Sequence, residues 1–145
     1  MARHLPTIAR YLLGLVFFVF GLNGFLNFIP TPPPDPKVVP FMTGLMSTGY
    51  FFPLLKATEV TCGGLLLSNR FVPLALVVLS PIIVQISAFH FVLAPSGIGM
   101  VALVLVLQVY LAWTYRSYFR SVLIAKAEPF QTAANPKSNR VPVVA

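Results

Sequence analysis

Acidic side chains are nearly missing from this chain: Asp and Glu together number 3 in 145 residues, against 10 Lys and Arg, and charged residues make up only 9%. A soluble domain carries roughly 25% charge. With 57% hydrophobic residues, the composition excludes a soluble enzyme and is that of an integral membrane protein. The single cysteine, Cys62, excludes an internal disulfide and a CxxC redox pair and reads most simply as a small buried apolar residue. The two histidines, His4 and His90, fall toward opposite membrane faces, which argues against a haem held between them. No metal-ligand spacing, P-loop, nucleophile elbow or dinucleotide fingerprint occurs. The chain therefore has no self-contained catalytic motif, and whether it is an enzyme stays open.

Long apolar runs are what it has instead. Four of them, residues 8–29, 51–67, 71–93 and 98–118, lie near the ~20 residues a helix needs to cross ~30 Å of hydrocarbon. The expected fold class is an all-α integral membrane protein, a four-transmembrane-helix antiparallel bundle. Residues 1–125 form the membrane domain and residues 126–145 a flexible cytoplasmic tail. These spans leave no room for a soluble catalytic domain.

The net charge of +7 flanks the apolar runs, which points to topology and not to nucleic acid. Arg3 and Arg10 are read as preceding the first span, Arg70 sits between the second and third, and Arg116, Arg120 and Lys126 follow the fourth. All three places fall on one side of an even-numbered bundle, so the positive-inside rule puts both termini in the cytoplasm. The first run ends in Asn27, Phe28, Ile29 and Pro30 and not in small residues, so no signal-peptide cleavage is expected.

Between Pro30 and Pro40 six prolines remove the backbone donors a helix needs. Residues 30–50 therefore read as an outer loop, in which Phe41 to Ser47 has the spacing of a short interfacial helix. Pro53 and Pro73 mark helix starts, whereas Pro81 falls mid-span and predicts a kink with a freed carbonyl at Val77. Gly14 and Gly21 share one face of the first helix, and Gly63 and Gly64 lie in the second. Small residues of this kind let membrane helices approach closely.

Lys56 and Glu59, three residues apart in the second run, fall on one helix face, at a depth where charge is expensive and ionisable residues are by default functional candidates. A structural pair that only fixes packing is the competing reading. Stepping each helix at ~1.5 Å per residue places Asn23, Lys56, Glu59, Gln85 and His90 in the outer half of the bundle, with Gln108 near mid-depth. These residues form a candidate intramembrane polar cluster, able to bind a polar head or relay a proton. The aromatic residues around it suit a ring-shaped amphipathic ligand such as a quinone, although aromatics are also expected as an interface belt.

Several segments together carry a family resemblance: the string from Gly14 to Phe25 (GLVFFVFGLNGF), Lys56-x-x-Glu59 followed by Gly63-Gly64 and Asn69-Arg70, and Pro81 to Gln85 ending in Phe89-His90. On these residues, which span roughly 9–123, the chain resembles the DoxX family of small four-helix bacterial membrane proteins. It departs from that pattern at Gly24, where the family often has a polar residue, and at Gln85, where it often has asparagine. The resemblance implies a four-helix fold in the bacterial cytoplasmic membrane. It also implies a role as a membrane subunit of a quinone-linked oxidoreductase or as an accessory subunit of a redox complex, with the lipid bilayer and protein subunits as partners. A noncatalytic scaffold or assembly subunit is the alternative. Conduction of a proton or solute ranks last, because the inner half of the bundle reads as apolar.

Overall fold

The computed structural model describes residues 4–30 and 33–120, and among them every regular element is helical. α1 spans Leu5–Leu26, α2 Val39–Ser47, α3 Phe51–Leu67 and α4 Val72–Val92; a 3₁₀ turn, Pro95–Gly97, leads into α5, Ile98–Thr114, and α6 is a single turn, Arg116–Phe119. Three stretches are long and apolar enough to cross a membrane: Leu5–Leu26, Val72–Val92 and Pro95–Thr114, with mean hydropathies of 1.8, 2.2 and 1.9. These mark a multi-pass membrane protein. α3, with 17 residues including Lys56 and Glu59, falls short of that length. The expected tail, 126–145, lies outside the described residues.

The helices start and stop close to the apolar runs, with local differences that have local causes. α1 stops at Leu26 because Asn27 adopts a left-handed conformation (φ 49°) and donates its N–H to the Asn23 carbonyl, a cap that asparagine tolerates. Phe28 and Ile29 thus lie beyond the helix. α5 stops at Thr114, where Tyr115 leaves helical geometry before the short α6. α2 begins two residues ahead of Phe41, with Pro40 in its first turn, where a missing N–H is harmless.

α1 packs most extensively against α3, and the two run antiparallel. The seam between them is made of glycines. A methyl group on Gly63 would lie 2.6 Å from the Phe18 nitrogen and 2.9 Å from the Gly14 carbonyl oxygen; one on Gly21 would lie 2.9 Å from the Val60 nitrogen. Backbone meets backbone here, as small residues permit in membrane helices. Gly64, one position on, has only a distant neighbour at 3.9 Å.

Arg10 corrects the expectation that it precedes the first span. It lies in the second turn of α1, only 5% exposed, and its guanidinium donates to the carbonyls of Leu66 and Leu67 at the end of α3. Those carbonyls belong to the last turn of α3, where a cation is also favoured by the helix dipole. Its guanidinium also lies 4.5 Å from the centre of the Tyr11 ring.

The end of the molecule beside Arg10 is closely packed. Leu13, Leu66, Leu76, Leu79 and Leu111 are fully buried there. Against this core α4 runs through Pro81 without a break. Gln108 of α5 donates to the Leu76 carbonyl at 2.8 Å and to the Ser80 hydroxyl at 3.1 Å, and Ser80 donates to the same carbonyl at 2.7 Å. These bonds tie α5 to α4 at the turn before the proline. They fall on Leu76, one residue before Val77, whose carbonyl is the one that Pro81 leaves without its helical donor.

Candidate functional site

Beyond the packed core the helices leave an open cavity of about 780 Å³, walled by α1, α3, α4 and α5 and bordered by α2. Its lining is mainly apolar and aromatic, but Lys56, Glu59, Gln85 and His90 all reach it. Four of the five residues of the predicted cluster thus face one space, drawn from α3 and α4. Asn23 does not line it. The left-handed turn at Asn27 brings the chain back so that the Asn23 Oδ1 accepts the N–H of Ile29 at 2.7 Å, and the side chain is occupied in closing α1.

α3 presents Lys56 and Glu59 one turn apart, with Nζ to Oε2 at 2.8 Å. Glu59 is 3% exposed and Lys56 22%. Two glycines position the site's cationic and titratable side chains. The aliphatic stem of Lys56 lies across Gly24, where a methyl group would come within 2.5 Å of its Cγ. Gly24 thus leaves the space that the lysine stem occupies. Gly97 does the same for His90, whose ring edge occupies the position a Gly97 side chain would take.

His90 Nδ1 lies 2.9 Å from the Ile86 carbonyl oxygen. A carbonyl can only accept, so Nδ1 carries the proton, and in the neutral ring Nε2 presents a lone pair. Phe89 stands edge-on to the imidazole at 5.1 Å and stacks against Phe41 of α2 at 5.4 Å. α2 therefore borders the cavity, with Phe41, Met42 and Leu45 in its lining.

A second, shallower groove of about 320 Å³ runs between α3 and α4 past Thr58, Thr61 and Cys62. Its hydroxyls are engaged by their own helix: Thr58 donates to Leu54 and Thr61 to Ala57, both at 2.8 Å. It offers little polar chemistry. No group of three or more His, Cys, Asp or Glu side chains is placed to hold a metal among the described residues.

Sequence reasoning missed Arg10 as a buried group, and Gly24 and Gly97 as the floors beneath Lys56 and His90. A basic residue inside the apolar run was the available signal for Arg10. The two glycines carried none, because their partners lie on other helices.

Compared with known proteins, the chain matches no family model, no curated protein and no solved structure.

Gly97→Ala is expected to push the imidazole off its seat and lower stability by about 1–3 kcal/mol, the range for overpacking. Gly99 meets nothing within 4 Å, so Gly99→Ala is expected to leave stability unchanged or raise it slightly. Thermal unfolding of both variants in mild detergent checks the contrast.

Proposed function

We propose that this chain is a DoxX-like protein of the bacterial cytoplasmic membrane that serves as a quinone-associated accessory subunit of a membrane oxidoreductase. In this reading α3 is the fourth span of an antiparallel bundle and both termini are cytoplasmic. At ~1.5 Å per residue its 17 residues reach about 25 Å, and local thinning of the bilayer accommodates a modest shortfall.

The cavity carries the proposal. Its volume, aromatic walls and few convergent polar groups are what a ring with an apolar tail requires. Catalysis is assigned to a partner subunit that reaches the quinone from outside the bundle. The closely packed leucine core argues against conduction, since it leaves the cavity closed at its inner end.

A noncatalytic scaffold is the second reading, favoured by one observation: Lys56 and Glu59 already neutralise each other's charge at the α1–α3 seam. Mass spectrometry of the native protein in mild detergent separates the two. A near-stoichiometric quinone, lost in Glu59→Gln, is the expected result. A stable protein partner without quinone would replace the proposal by the scaffold.

A further inference from the structure

We infer that the cavity selects a hydroxylated ring, a hydroquinone, over the corresponding quinone. This rests on the proposed quinone reading and deepens it by naming the redox form that fits.

The polar groups around the cavity differ in what they ask of a ligand. Lys56 engages Glu59 through Oε2 alone, and among the described residues no donor reaches Oε1. His90 uses Nδ1 on the Ile86 carbonyl, which leaves Nε2 as an acceptor in the neutral ring. Two acceptors on residues that line the cavity therefore have no donor among the described residues. Gln85 has no hydrogen-bond partner among the described residues and offers one donor group and one acceptor; Lys56 retains further N–H donors.

A quinone carbonyl only accepts. It can answer Lys56 and Gln85, but it leaves Glu59 Oε1 and His90 Nε2 facing an oxygen that has no hydrogen. A hydroxyl both donates and accepts, so a hydroquinone answers the donors and the acceptors alike. In an apolar space the unanswered acceptor is the expensive case, and a site built on hydrogen bonds rejects the analogue that lacks the matching proton. Asn23, whose amide could have offered donors to a carbonyl, does not line the cavity.

The test is anaerobic titration of the full-length protein in mild detergent with a decyl-substituted benzoquinone and, separately, its hydroquinone. The hydroquinone is expected to bind at least about tenfold more tightly, the consequence of one satisfied acceptor. His90→Phe keeps a ring over Gly97 but removes the lone pair. It is expected to weaken hydroquinone binding while leaving quinone binding nearly unchanged. Equal affinities, or a preference for the quinone, would overturn the inference and leave the quinone reading standing. An unchanged preference in His90→Phe would overturn it too. If neither form binds, the proposed function itself fails and the inference with it.

Discussion

Replacing Glu59 by leucine alone is expected to destabilise the protein by about 3–5 kcal/mol, the loss seen when one partner of a buried ion pair is removed. Lys56 would then stand beside the cavity with its charge unpaired, and its stem is held across Gly24, which limits its escape. The matched double variant Lys56→Met with Glu59→Leu is expected to recover most of that loss, because an apolar pair of similar volume removes both charges together. Thermal unfolding in detergent reads both. A single variant as stable as the parent would show that the pair contributes nothing to the fold. If the double variant recovers stability but no longer retains quinone, the pair has a role beyond packing.

The second large effect is expected at Gly63. A methyl group there meets the Phe18 nitrogen at 2.6 Å and the Gly14 carbonyl at 2.9 Å, and backbone atoms cannot rotate aside as a side chain can. Gly63→Ala should force α1 and α3 apart and cost at or above the upper end of the ~1–3 kcal/mol typical of overpacking. Gly64→Ala is the control, since its nearest neighbour is a ring carbon at 3.9 Å; it should be neutral or mildly stabilising through helix propensity. Equal unfolding temperatures for the two alanine variants would contradict the seam as described.

Much of the helical pattern was legible because hydropathy and proline placement act locally. The run at 51–67 coincides with α3 because Gly49, at φ 71°, breaks the chain just before it, and Ser68 and Asn69 end it. The ends of α1 and α5 were less legible. Phe28, Ile29 and Tyr118 are as apolar or aromatic as the helices they follow, and only backbone conformation at Asn27 and Tyr115 separates them.

Depth along a helix axis is also a local quantity, which is why Lys56, Glu59, Gln85 and His90 could be placed at one level from the sequence. Direction around the axis is not. Asn23 shares that level but turns to its own helix end, a choice that depends on how the chain reverses beyond it. Arg10 shows the same limit at the other end of the molecule. Its position in an apolar run was visible, but its partners, the last carbonyls of α3, are more than fifty residues away in the chain.

The glycine seam also bears on how the protein is made. In the four-span arrangement proposed above, α3 has to leave the translocon carrying two charges, each disfavouring insertion by roughly 2.5–3.5 kcal/mol at a helix centre. α1 is synthesised first and already displays Gly14, Gly21 and Gly24 along one side. When α3 emerges it finds a track that fits its backbone, covers the stem of Lys56 and offers Arg10 to its last carbonyls. Its residence in the bilayer is then secured by an earlier helix more than by its own hydropathy, and the order of synthesis becomes part of the fold.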